Sequence, residues 1–537
     1  MNETPGDVRL IGGEMLLWSD ADAVTDWRGV GLELAGRLVP AGGRVLLAGP
    51  HAAGLVAAVT DRAGHAAVLV RSYPDACALG ELHPSLTVHC GRLRALTEEP
   101  YDLVLALDGL GRTYSAEEPA PSWQESFEAL AGLVAPGGRL VLAVPNDLGV
   151  DRFVEARPPD RQGADDHWEP HGFDPTHPGG PDALDTALAA AGLVTGGRYA
   201  AYPGRAAPRA LLSGELLAQE LPEALTVPLA AREGDTMLVA DPLRLTRLAF
   251  RHGLGEHLAP LWVTVAARPA GRHPDQAPDE PACLPAGLVE VGRVVHEVTA
   301  TTTRRLPDGS PRPIPRGRVL EEVLVEACAR EDVRSIRHLL ARLADWVEDG
   351  GDAPADNLVW DGERFAAVTP QPAPTGPVAT RVVLCRILWR FAVRLLASGH
   401  HHPWPWPQAA DQLALTLCGM AGRPCDDDEL DRARKLDAEL GQPALPPGAA
   451  PAYRDLLADR DRLADRLTAA LARVTRLETK LTYRERELVR ARARLRRTRR
   501  KAAALRRTLG HRLSRRLSRR LARPRKAARK MLRLLSG

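Results

Sequence analysis

The chain runs to 537 residues, 45% of them hydrophobic, which leaves room for two or three globular domains with ordinary cores. Its seven cysteines (Cys77, Cys90, Cys283, Cys328, Cys385, Cys418 and Cys425) form no Cys-x-x-Cys pair, the first residues lack basic charge and an apolar core, and no apolar run is of membrane length; a reducing cytoplasm is expected, with no zinc site, signal peptide or membrane span. The net charge of +3 conceals a split, because residues 491–537 carry 20 Lys or Arg and no acid, leaving the first 490 residues with 51 basic against 68 acidic groups, a net of −17.

In chain order, short apolar runs at 45–49, 66–70, 102–107 and 139–144 have strand length and alternate with helical patterns such as Ser122 to Leu133 and Asp182 to Ala191. Strands alternating with amphipathic helices predict an α/β fold, a parallel sheet covered on both faces. Ligands of such sheets sit beyond the carboxyl ends of the strands, so the loops after Leu47, Val70 and Leu107 are the expected place for a nucleotide-like cofactor. Residues 44–54 read as a first strand entering a glycine turn at Gly49. Tyr101 to Asp108 reads as a later strand with an acid at its end. Leu133 to Asn146 reads as a helix end, a tight Pro136-Gly137-Gly138 turn and another strand. Further strands are predicted at Tyr199–Pro203, Thr236–Ala240 and Leu261–Ala266.

In order and spacing, the segments 44–54, 101–108 and 133–146 resemble the class I S-adenosylmethionine-dependent methyltransferase family, over about the first 200 residues. The resemblance implies a Rossmann-like domain with S-adenosylmethionine as cofactor, contacted by Gly49, Gly54 and Asp108. The family pattern also has an acid late in the first strand, a middle glycine in the turn and an acid closing the second strand. Leu47, His51 and Arg71 stand at those positions here. An arginine accepts no hydrogen bond from a ribose hydroxyl, and Asp75, four residues on, is the substitute if the loop curls back. The family often builds its substrate pocket after the fifth strand, where His167-Trp168-Glu169-Pro170-His171 lies. His167 and His171 are therefore the candidate catalytic residues, suited with Glu169 to acid–base work or to holding a metal, with a solvated loop as the other reading.

Residues 1–267 are assigned to this domain, 268–282 to a Pro-rich linker, and 283–440 to a second domain with helical stretches at Val319–Val347 and Val382–Leu396. Asp352, five residues before Asn357 and followed by a strand pair, resembles the catalytic loop of kinase-like phosphotransferases. That resemblance implies a kinase-like α+β domain with Asp352 as base and Asn357 on magnesium. Thr369 stands where the next metal-binding acid belongs, and no lysine precedes Lys435, so phosphotransfer is not expected. The His400-His401-His402 run lies among prolines that hold it extended and reads as a surface loop.

After a linker at 441–451, apolar residues fall at 463, 467, 470, 474, 477, 481, 488, 491 and 495 in alternating steps of four and three, interrupted only by Arg484. This predicts a coiled coil over 452–500, with the chain itself as partner. Residues 501–537 continue as a basic tail with leucines every four residues, suited to an anionic membrane surface. Nucleic acid is a weaker candidate, since no aromatic residue follows Tyr483. The whole layout resembles bifunctional methyltransferase–kinase proteins that cap surface polysaccharides. Two functions stay open: an S-adenosylmethionine-dependent methyltransferase acting on a sugar or surface glycan, or a catalytically silent scaffold, cytoplasmic and peripheral at the inner face of the membrane.

Overall fold

The computed structural model describes residues 7–21, 24–115, 119–154, 174–230, 242–270, 284–292, 294–369, 374, 376–398, 400–404, 409–440, 453–507, 510 and 512–519. They divide into two compact units, residues 1–452 and 453–537. The first half of unit 1 alternates strand and helix: β1 (Asp7–Gly12), α1 (Arg28–Leu38), β2 (Arg44–Ala48), α2 (Ala53–Arg62), β3 (His65–Val70), α3 (Tyr73–Leu82), β4 (Thr87–Gly91), β5 (Tyr101–Ala106), α4 (Trp123–Gly132) and β6 (Val134–Pro145). There follow α5 (Val150–Val154), α6 (Pro181–Ala190), β7 (Val194–Tyr202), β8 (Ala210–Ser213), α7 (Gly214–Leu217), α8 (Pro242–Arg251) and β9 (Leu261–Ala267).

The sheet order β1-β4-β3-β2-β5-β6-β9-β7-β8 reverses between β2 and β5, and every pair from β1 to β6 is parallel. β9 runs antiparallel between β6 and β7. The expected strands at 45–49, 66–70, 102–107 and 139–144 are thus β2, β3, β5 and β6. They read as unbroken apolar runs because both faces are covered. Val45 and Leu47 enter the core beneath α1 and α2, while Leu46 and Ala48 enter the opposite core with Phe127 and Leu130 of α4. Ser122 starts α4 by a reciprocal capping box with Glu125. The expected Pro-Gly-Gly turn is instead an irregularity within β6. Gly137 has φ +83°, and the β5–β6 register slips between Tyr101 and Leu103, since a bulge absorbs the glycines without ending the strand.

The sheet does not stop at residue 267. β10 (Gly287–Val291), β11 (Val294–Val298), β12 (Thr302–Arg305) and β13 (Arg312–Pro313) continue it antiparallel from β8, giving 13 strands among the described residues. Glu290 also accepts from the Gly29 amide in the first turn of α1, at 2.9 Å. Residues 287–313, expected to open a second domain, thus cover the edge that β8 leaves exposed. The expected strand at Thr236–Ala240 and most of the 268–282 linker lie outside the described residues.

The rest of unit 1 has its own core, built from a small antiparallel sheet of β14 (Arg318–Val319), β15 (Leu358–Trp360) and β16 (Phe365–Ala367) with α9 (Leu320–Ala329), α10 (Val333–Glu348), α11 (Thr380–Ala397), α12 (Ala410–Met420) and α13 (Asp427–Glu439). The helical stretch expected from Val319 to Val347 is two helices. Glu331, at φ +55°, turns the chain, and Asp332 caps α10 by accepting from the Ser335 amide. Asn357 is used internally. Its carbonyl oxygen accepts from both the amide and hydroxyl of Thr369, and its amide donates to the Thr369 carbonyl, each at 2.9 Å. At the centre of the helices the Asp437 carboxylate faces two buried guanidiniums, 2.8 Å from Arg390 and 3.6 Å from Arg386.

Unit 2 is α14 (Tyr453–Arg507), one helix of 55 residues that crosses the expected boundary at 500. Leu463, Leu467, Val474, Leu477, Leu481, Leu488 and Leu495 of its seam are all exposed. No described helix is long and apolar enough to cross a membrane.

Replacing Asp437 by Ala leaves two buried cations facing an apolar gap, so Asp437→Ala is expected to destabilise unit 1 by about 3–5 kcal/mol in urea unfolding. Asp437→Asn, which keeps the shape and one acceptor, is expected to cost less.

Candidate functional site

The carboxyl ends of β2, β3 and β5 meet where the strand order reverses, the position at which open α/β sheets bind ligands. Gly49 leaves β2 with φ +92°, a conformation that favours glycine, and its amide donates to the Leu69 carbonyl at 2.9 Å. His51 follows, buried. The Leu107 amide donates to its Nε2 at 3.2 Å, which leaves Nδ1 as the protonated nitrogen donating to the Gly49 carbonyl at 2.9 Å. The imidazole thus ties the β2 turn to the end of β5. Burial pushes its pKa down to about 4, against the opposing pull of the Gly49 carbonyl, so it is neutral at physiological pH. Gly54 lies in the first turn of α2, exposed, and a side chain there would meet nothing within 4 Å.

Arg71, just past the end of β3, is buried and forked onto Asp20. Its Nε and one terminal nitrogen each donate to a different Asp20 oxygen at 2.8 Å, while the other reaches the Tyr114 carbonyl at 3.2 Å. Burial alone would raise the pKa of the Asp20 carboxyl, but the Arg71 fork and the Trp18 indole N–H outweigh it and hold it below the usual range. The Arg71 guanidinium also sits 5.9 Å from the Trp18 ring centre.

Asp75 lies in the first turn of α3 and faces the same segment. One oxygen accepts from the Ser19 hydroxyl at 2.6 Å and the other from the Asp20 amide at 2.8 Å. Asp108, beyond β5, is paired with Arg112 four residues later in the same loop, with Oδ1 and Oδ2 each 2.6 Å from a guanidinium nitrogen. It also accepts from the Thr25 hydroxyl at 3.1 Å. Burial raises its pKa, partly offset by Arg112. Trp27 completes this side by donating its indole N–H to the Leu107 carbonyl at 2.9 Å.

Gly49, Asp75 and Asp108 therefore converge on one end of the sheet with Gly54 at its rim, and the N-terminal segment 15–27 brings Ser19, Asp20, Thr25 and Trp27 to the same end. Those four are the residues sequence reading missed. Arg112, four residues after Asp108, carried a sequence signal as a salt-bridge spacing. Asp20 carried none, because its partner lies 51 positions away. His167 and His171 lie outside the described residues. Elsewhere, His401 meets Glu331 at 2.8 Å and His402 tilts against Trp404, so the histidine run is engaged with its surroundings. One group of sulfur ligands, absent from the sequence reading, is assembled by packing: Cys385, Cys418 and Cys425.

No protein-family model matches the chain, and no curated protein does. Solved structures similar to it at low identity include methyltransferases and a [4+2]-cyclase. One is a complex of a methyltransferase activator and a methyltransferase from Haloferax volcanii (17% identity, 44% of this chain and 88% of that chain, TM-score 0.27). Another is a sarcosine dimethylglycine methyltransferase from Galdieria sulphuraria (14% identity, 45% and 84%, TM-score 0.25). A third is the N-methyltransferase NodS from Bradyrhizobium japonicum in complex with S-adenosyl-L-homocysteine (17% identity, 22% and 59%, TM-score 0.18).

The buried neutral His51 sets a pH dependence. Its folded pKa of about 4 lies below the ordinary 6.5, so between those values the unfolded chain binds more protons and stability rises with pH. Acidifying from pH 6.5 to 4 is expected to remove roughly 3 kcal/mol through this group. His51→Gln should flatten that limb in urea titrations across the window, while lowering stability at pH 7 through its lost bonds.

Proposed function

We propose that unit 1 is a methyltransferase-type module that takes an adenosyl cofactor, S-adenosylmethionine, at the carboxyl ends of β2 and β5. The single observation carrying this reading is the strand-order reversal between β2 and β5, with the left-handed Gly49 turn and the buried carboxylate of Asp108 at that point. The acceptor proposed is a sugar or surface glycan, on the order of segments along the chain alone. The residues fit the cofactor in part. The first turn of α2 at Gly54 is open, whereas no unengaged acid waits at the ribose corner, since Asp20 and Asp75 already accept from Arg71, Ser19 and the Asp20 amide. Bound there, the cofactor would supply an electrophilic methyl group. This chain's part would be to hold the adenosyl end against Gly49 and Gly54, with Asp108 fixed by Arg112 at the floor.

The second reading, a catalytically silent scaffold, is favoured by those same pairings: Arg71, Asp75, Asp108 and His51 are all satisfied within the protein. Calorimetry with S-adenosylmethionine and with its demethylated product separates the two. The cofactor reading expects saturable heat that is weakened several-fold by Gly54→Ile, at an exposed position where an added Cβ meets nothing within 4 Å, with circular dichroism checking that the variant folds. Absence of heat with both compounds leaves the scaffold.

For unit 2 we propose self-association through α14 and docking of residues 501–537 on an anionic membrane. The alternating four–three spacing of the exposed leucines supports a second copy of the chain as the partner, since the seam is complementary to itself. A basic segment gains about 1 kcal/mol per Lys or Arg near an anionic surface, and presenting two tails together converts weak contacts into stable docking. Deleting 501–537 is therefore expected to abolish sedimentation with anionic vesicles and leave the oligomer intact. Leu467→Glu with Val474→Glu should give monomers that bind vesicles more weakly, and high salt should release the unaltered protein. A monomer by analytical ultracentrifugation, or indifference to vesicles at low salt, would overturn this part.

A further inference from the structure

Three of the seven cysteines meet in the second core of unit 1, although 40 residues separate the first from the last. Cys385 is on α11, Cys418 on α12, and Cys425 in the short turn that leads into α13. Their sulfurs lie within 4.8 Å of one another. Cys385 and Cys418 are buried and Cys425 is partly exposed. No linear motif announces them, since Cys418 and Cys425 are seven apart and Cys385 comes from another helix. We infer that Cys385, Cys418 and Cys425 form a binding site for a zinc(II) ion, three thiolates with a water on the side where Cys425 opens to solvent.

The donor set selects the ion. Thiolate sulfur without carboxylate or amide oxygen suits a borderline-soft cation and repels magnesium or calcium. A tetrahedral zinc with bonds of about 2.3 Å holds its sulfurs about 3.8 Å apart, so sulfurs within 4.8 Å of one another close on the ion by about 1 Å at most. Before an ion arrives Cys425 is a thiol, its Sγ directed at the Arg381 carbonyl at 3.7 Å and the Arg423 carbonyl at 3.5 Å. Binding releases the thiol protons to solvent, and no oxidant or reductant is needed.

The position of the trio gives the ion a structural part. Cys425 immediately precedes Asp426, whose side chain caps α13 in a reciprocal box with Glu429. Metal at the three sulfurs would fasten the start of α13 to α11 and α12, the helices carrying the rest of that core.

The test is titration of the full-length, fully reduced protein with cobalt(II) under anaerobic conditions, followed by displacement with zinc(II). One equivalent of cobalt is expected to produce an intense near-ultraviolet thiolate-to-cobalt band and tetrahedral visible bands, both abolished by one equivalent of zinc. Cys425→Ser, at a partly exposed position that tolerates an isosteric change, should weaken the near-ultraviolet band and lower zinc affinity at least tenfold. Cys77→Ser, a cysteine of α3 outside the trio, should change neither. Zinc should also raise the melting temperature of the parent and not of Cys425→Ser. Absence of the thiolate band, its persistence at full intensity in Cys425→Ser, or its loss in Cys77→Ser would each overturn the assignment.

Discussion

A guanidinium placed just past the end of β3 has to be neutralised where it is buried, and Asp20 does this through two parallel hydrogen bonds of 2.8 Å. Removing one partner from a buried pair costs about 3–5 kcal/mol, because the other charge is left unpaired. That energy holds the N-terminal segment across the strand ends. With Asp20 fixed, the Ser19 hydroxyl and the Asp20 amide both fall to Asp75, Met15 bonds to the Arg71 carbonyl at 2.7 Å, and Trp18 lies near the guanidinium. Thr25 and Trp27 then reach the end of β5. One buried basic residue thus leaves this corner of the fold paired within the protein itself.

The other side of the sheet answers a different demand. β8 presents an unpaired edge, and β10 covers it, carrying three further strands along. Glu290 of β10 connects this extension to the site half of the molecule, because its carboxylate accepts from the first turn of α1 and lies 3.9 Å from buried Arg209. α1 in turn follows directly on Trp27, which donates to Leu107. The far strands and the crevice are therefore linked through one helix whose N-terminus is pinned by an anion.

The parallel strands were legible because burial on both faces leaves unbroken apolar runs at 45–48 in β2, 66–70 in β3 and 103–106 in β5, and the helices between them keep a 3.6-residue stripe. α4 was legible nearly to the residue, since Ser122 and Glu125 form a local cap. What could not be read were interactions between distant positions. The partner of Arg71 is 51 residues upstream, Glu290 meets Gly29 over 261 residues, and the three sulfurs come from separate segments. The assignment of 287–313 to a second domain failed for the same reason, because an edge strand's choice of partner depends on which edge is open rather than on its own pattern. Asn357 shows the converse. Its spacing from Asp352 is a sequence signal, yet in three dimensions the side chain spends its donors and acceptors on Thr369.

The choice of cation carries this further. All but five of the 71 basic residues are arginine, and none of the first 434 residues is lysine. Arg71, Arg209, Arg247, Arg386 and Arg390 are all buried. A buried lysine responds to a dry site by losing its proton, which makes it available as a base or nucleophile. A guanidinium stays charged and must instead be matched by carboxylates in fixed, forked geometry. Among the described residues, the interior cations of unit 1 are guanidiniums that each face a carboxylate. At the carboxyl ends of β2 and β5, burial raises the Asp108 carboxyl above its ordinary value and lowers the His51 imidazole to about 4. The arginines there act as fixed charges that set the potential those two groups feel.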